Sequence, residues 1–107
     1  MKIIWTNFAI ENLKAITKYY AKVAGKSIAY KIKTEIFKST KQLKHYPDSG
    51  QEEIFLKQLN EGYRYIVSGN YKVIYKRVAE GVLITDIFDT RQDPVKINNP
   101  KRKHNKD

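Results

Sequence analysis

The sequence predicts an α+β domain: an N-terminal strand, an antiparallel two-helix hairpin, and a largely antiparallel, twisted sheet carrying the hairpin on one face. Three observations carry this. Apolar residues between Ala9 and Leu43 recur at three- and four-residue steps, interrupted only near Gly25. Beyond Pro47 the pattern changes to β-branched and aromatic runs. Those runs are separated by the turn chemistry "YPDSG", Gly69-Asn70 and Glu80-Gly81.

Taken in order, "KIIWT" is short and β-rich and predicts a first strand. Thr6 or Asn7 offers an oxygen to cap the helix that follows, and Glu11 suits its early turns. Ala9, Leu13, Ile16, Tyr20 and Val23 form the apolar stripe of that helix, which stops near Gly25. Ser27 is the expected cap of a second helix with Ile28, Ile32, Ile36 and Leu43 as its stripe. It must end before Pro47, since a residue preceding proline is pushed out of the α region. Three β-rich runs follow, about 53–59, 63–68 and 71–78, then a fourth over 82–89. Residues 1–97 read as a single domain and residues 98–107, "NNPKRKHNKD", as a flexible basic tail.

The 107 residues suffice for one core. Twenty-one Lys and Arg against eleven Asp and Glu give a net charge of +10, which favours an anionic partner: nucleic acid, a membrane surface or an acidic protein. With no cysteine and only His45 and His104, neither a disulfide framework nor a zinc or iron site is expected, and no cofactor is called for. No window resembles a secretory leader or a transmembrane span, so a cytoplasmic protein is the expectation.

The hairpin loops imply a register. Ser68 opposite Tyr71 and Ala79 opposite Val82 place Ile66, Val73, Tyr75, Ile84 and Phe88 on one face, with Arg64 and Asp86 flanking Tyr75. The other face then holds Tyr63, Tyr65, Val67, Lys72, Ile74, Lys76, Leu83, Thr85, Ile87 and Asp89. An unpaired lysine is costly in a core, whereas Arg64 and Asp86 can neutralise one another. The first face is therefore expected against the helices. The second is expected outward, as a basic and aromatic surface of Tyr63, Tyr65, Lys72 and Lys76. Such a surface suits phosphates and unstacked bases, and equally describes the solvated face of a basic protein. Arg91, just past the last strand, joins Lys72 and Asp89 at one end of the sheet in this reading. Two cations beside a carboxylate there could stabilise a phosphoryl transition state; a loop clamp between Arg91 and Asp89 or Asp93 is the alternative. On the first helix Lys14, Lys18 and Lys22 form a like-charge stripe that an acidic partner would relieve. Trp5 reads as a core anchor and His45 as a complement to the helix dipole.

The strand with Trp5, the helical hairpin, "PDSG" and "GYRYIVSGNYKVIYKRVAEGVLITDIFDTRQDP" together resemble the RelE/ParE toxins of type II toxin–antitoxin systems, over about residues 2–97. The pattern rests on Arg64, Gly69-Asn70-Tyr71, Val73-Ile74-Tyr75, Ile84, Ile87 and Arg91. The resemblance implies a toxin that inhibits bacterial growth and is neutralised by a wrapping, acidic antitoxin. It implies one of two targets: DNA gyrase, as for ParE-type members, or ribosome-bound mRNA cleaved without metal, as for RelE-type members. Lys72 matches the family's cation on the strand after the hairpin, and Arg91 its cationic or tyrosine position past the last strand. Tyr63 and Tyr65 stand where RelE-type nucleases often hold lysines, so the wording lies closer to the ParE side. In the nuclease reading Lys72 and Arg91 would stabilise charge and Asp89 would be the base. A member that only binds its partner is the third possibility.

Overall fold

The computed structural model describes residues 1–102. Strand β1 (Lys2–Trp5), helices α1 (Asn7–Val23) and α2 (Lys26–Lys41), and strands β2 (Gln51–Glu52), β3 (Arg64–Ser68), β4 (Tyr71–Val78) and β5 (Gly81–Asp89) follow one another. The sheet order is β1-β5-β4-β3-β2, antiparallel throughout except where β1 runs parallel to β5. No described helix is long and apolar enough to cross a membrane.

Local chemistry explains most boundaries. The Thr6 hydroxyl accepts a hydrogen bond from the Ala9 amide at 3.1 Å and caps α1. The cap of α2 is Gly25, not Ser27: the chain reverses between the helices at φ +94°, a conformation open to glycine, and the helix resumes at once. Gly81 starts β5 at φ +151°, where an added Cβ would stand 2.2 Å from the Lys2 carbonyl oxygen. That close approach lets β1 dock as the parallel edge strand. The expected stripe of α2 rotates slightly, because Ala29, Ile36 and Thr40 are buried while Ile28 is exposed.

Further expectations are overturned. The run at 53–59 is a 3-10 helix, Ile54–Leu59, not a strand. Glu53 caps it by accepting from the Phe55 amide at 3.3 Å, and Leu56 and Leu59, three apart, align on one side as that helix requires. The turn between β4 and β5 is Ala79-Glu80, with Val78 opposite Gly81. A bulge at Ile74/Tyr75 then shifts the pairing, so Val73 faces Ile87 and Lys72 faces Phe88. Since side chains alternate, the extra residue exchanges Ile87 and Phe88 between faces.

Another is the idea of a one-sided sheet. The helix-facing core joins Ala9, Leu13, Ile36 and Leu43 to Ile66, Val73, Tyr75, Ile84 and Ile87. A second core lies on the opposite face, where Leu56 and Ile97 cover Ile74, Phe88 and Tyr63. Its cover comes from Ile54–Leu59 and from a 3-10 turn at Pro94–Asn98. The stretch expected to be a tail is structured through Arg102, and its remaining residues, Lys103 and Lys106 among them, lie outside those described.

Candidate functional site

Lys72 and Lys76 do not face solvent as free cations. The Lys72 ammonium donates to Glu53 at 2.9 Å and sits 4.0 Å above the centroid of the Tyr65 ring. Glu53 is 1% exposed, and the Lys72 side chain 17%. Lys76 is ion-paired with Glu61 and lies 5.0 Å from the buried Tyr63 ring. Burial works against its charge, but Glu61 and Tyr63 outweigh it and hold the lysine above its usual range. Burial likewise pushes the Tyr63 phenol up, against the pull of Lys76. The premise that lysines bar this face from a core fails because each arrives with its own carboxylate and a ring beneath it. Glu53 and Glu61 flank the covering segment, so the cover brings the counter-charges. Tyr65 keeps a partly exposed edge and donates to Gln51 at 3.0 Å.

Asp89 and Arg91 end β5 on the helix side. The Arg91 guanidinium grips both Asp89 oxygens at 2.9 and 2.8 Å and donates to the Tyr20 hydroxyl at 3.3 Å. These bonds hold the Asp89 carboxyl below the usual carboxylate range, which weakens it as a base, and hold Arg91 more firmly protonated. Tyr71 donates to Tyr20 at 3.5 Å. That bond and Arg91 lower the Tyr20 phenol, while burial and Tyr20 raise Tyr71. The cluster opens on a groove of about 450 Å³ walled by Ile16 and Tyr19 of α1 and by Arg91 and Arg102.

The structure therefore brings together only two of the three proposed catalytic residues, Asp89 and Arg91. Lys72 points into the second core's rim with Glu53, whereas Asp89 and Arg91 lie with Tyr20 and Tyr71 on the other side of the sheet. Of the proposed contact residues, Tyr63 is buried and Arg91 is exposed. Lys14, Lys18 and Lys22 are all exposed along α1, Lys14 3.7 Å from Glu11. Among the described residues no group of three His, Cys, Asp or Glu could hold a metal ion.

Arg64 and Asp86 do not neutralise one another either. Arg64 donates to the Gly50 carbonyl at 2.8 Å, and Asp86 is held by Asn12 at 2.8 Å and by two Arg102 nitrogens at 2.6 Å. Arg102 lies between Phe8 and Phe88, with centroids 5.5 and 4.9 Å away. It packs where β1, paired only as far as Ile84, leaves β5 uncovered. Sequence reasoning missed Glu53, Glu61 and Arg102; the signal was the acidic residues on either side of "IFLKQL", of which Glu53 before it and Glu61 after it take the two strand lysines.

A family model described as the ParE toxin of type II toxin-antitoxin system, parDE, matches residues 3–94. Among solved structures, a chain of the chromosomal ParDE TA system from P. aeruginosa superposes with a TM-score of 0.70 at 20% identity, covering 83% of this chain and 95% of that one. No curated protein matches. The helical hairpin on a mixed five-stranded sheet is thus a shared fold, and by the extent of the family match the chain belongs to the ParE toxin family of type II toxin–antitoxin systems.

Proposed function

We propose that the protein arrests bacterial growth by binding DNA gyrase, performing no bond cleavage itself, and that a cognate antitoxin with an acidic wrapping segment neutralises it. The observation that favours binding over RNA cleavage is the separation of Lys72 from Arg91. Metal-free cleavage through a 2′-hydroxyl needs a base, an acid and charge stabilisation converging on one phosphate. Here the two cations occupy opposite faces, each already paired: Lys72 with Glu53 at 2.9 Å and Arg91 with Asp89 at 2.8 Å. Family membership supports the toxin role and the antitoxin partner.

The test is expression in bacteria with parallel readouts. Growth arrest, chromosomal double-strand breaks, intact mRNA and inhibition of purified gyrase supercoiling are the expected results. Codon-phased mRNA cuts lost on Lys72→Ala or Arg91→Ala would establish the ribosome-dependent nuclease instead. Normal growth at good expression points to a member that only binds its partner.

A further inference from the structure

The net charge is unevenly placed. Residues 1–46 hold ten lysines and two glutamates, which accounts for +8 of the formal +10. The cations of the sheet half are largely spent on carboxylates: Lys72, Lys76, Arg77, Arg91 and Arg102 each have one. The field that attracts an anion therefore emanates from the helical hairpin and β1, not from the sheet face with its tyrosines.

Within that half, α2 carries a line of alternating character. Lys26, Tyr30, Lys33, Phe37 and Lys41 are spaced four, three, four and four residues apart, which stacks them on one flank of the helix. All five are exposed, Tyr30 at 70% and Phe37 at 41%. No ion pair among the described residues engages Lys26, Lys33, Lys41 or Lys44. The line spans about 22 Å at the rise of an α-helix. Its C-terminal end runs into a groove of about 410 Å³ between α2 and β1, with cations Lys2, Lys41 and Lys44 around Trp5 and Phe37. Those two rings pack at 5.2 Å between centroids, tilted by 50°.

We propose that this flank of α2, continued into the groove over Trp5 and Phe37, binds single-stranded nucleic acid. Lysines along a line neutralise successive phosphates, and aromatic faces between them take unstacked bases without regard to sequence. The groove admits a base against the Trp5–Phe37 pair, with Lys2, Lys41 and Lys44 placed for the flanking phosphates. An acidic protein segment would satisfy the lysines and leave the exposed rings unexplained. The surface is separate from the Arg91 groove, and the inference stands independently of the gyrase reading.

Trp5 is the chain's single tryptophan, so its fluorescence reports stacking directly. The purified full chain is titrated with fluorescein-labelled oligothymidylate and oligouridylate, following anisotropy and, with unlabelled oligomer, Trp5 emission. Binding with Trp5 quenching is expected, with an affinity whose logarithm falls against log salt with a slope of about −3.5 for five phosphate contacts. Tyr30→Ala, a change at an exposed position, is expected to weaken binding roughly tenfold. The triple substitution Lys33→Gln, Lys41→Gln, Lys44→Gln should weaken binding and reduce the salt slope by about 2 at unchanged circular dichroism. The proposal is overturned if neither oligomer binds or quenches Trp5, or if the triple variant binds as well as the parent. It is equally overturned if polyglutamate or phosphatidylserine vesicles bind as tightly with the same Trp5 response.

Discussion

Glu53 Oε2 lies 2.9 Å from Lys72 Nζ, and the two residues belong to opposite sides of one interface: Lys72 to the sheet, Glu53 to the segment that covers it. The same carboxylate caps the 3-10 helix that carries Leu56 into the second core. One buried acid thus orders the cover, neutralises the cation and removes that cation from the surface. Removing one member of such a pair leaves a buried charge, whereas removing both leaves none. Lys72→Ala is therefore expected to destabilise by about 3 kcal/mol in urea unfolding, and Lys72→Met with Glu53→Leu to cost much less. Equal costs for the single and double variants would show that the pair is not coupled.

Arg102 makes the corresponding bond at the opposite edge. Asp86 is fully buried and held by Arg102 and Asn12. Arg102→Ala is expected to cost about 3–5 kcal/mol, or roughly 15 °C or more in Tm for a domain of this size. Arg102→Lys should recover only part of this, since an ammonium does not match the two-nitrogen fork. A Tm unmoved by Arg102→Ala would mean that the C-terminal turn contributes nothing to the fold, although it lies beyond the family match at residue 94.

Gly81→Ala tests the docking of β1. The added methyl carbon meets the Lys2 carbonyl oxygen at 2.2 Å, so strand or turn must shift. Loss of amide protection in Lys2–Trp5 is expected, ahead of any loss in β4. Uniform loss across the sheet would instead indicate that the β1 edge is not a separate unit.

Alkaline stability should fall in a defined window. Burial raises the phenols of Tyr63, Tyr71 and Tyr75 above their ordinary value. A raised folded pKa favours the protonated native state. That contribution is fully present below about pH 10, the unfolded value, and is lost as pH climbs from there toward the folded values. Phenolate absorbance at alkaline pH should therefore appear in two stages, with these three of the eight tyrosines ionising only on unfolding.

Acid acts oppositely through Asp89. Arg91 depresses its pKa, so its contribution is present above the unfolded value near 4 and disappears as pH falls through the folded value. The Arg91 side chain is more than half exposed, and screening by solvent keeps the effect small. Asp89→Asn should slightly flatten the acid limb of the stability profile and leave stability at pH 7 little changed. A steeper acid limb in that variant would reverse the assignment.

Much was legible in the sequence because it depends on neighbours along the chain. Thr6 caps α1, the helices pair across Gly25, and Ser68 faces Tyr71 as the Gly69-Asn70 turn requires. The resemblance carried by "GYRYIVSGNYKVIYKR" and "DTRQDP" agrees with the family match. By itself, then, the sequence determined the helical hairpin, the β3–β4 register, the toxin family and the positive charge. The tertiary structure alone decided which residues face outward. A single bulge at Ile74/Tyr75 exchanged Ile87 and Phe88, and two carboxylates distant in sequence made room for Lys72 and Lys76 in a second core. Local periodicity records which side chains share a face. Whether that face is wet or covered depends on segments that return from elsewhere in the chain and on the counter-charges they bring.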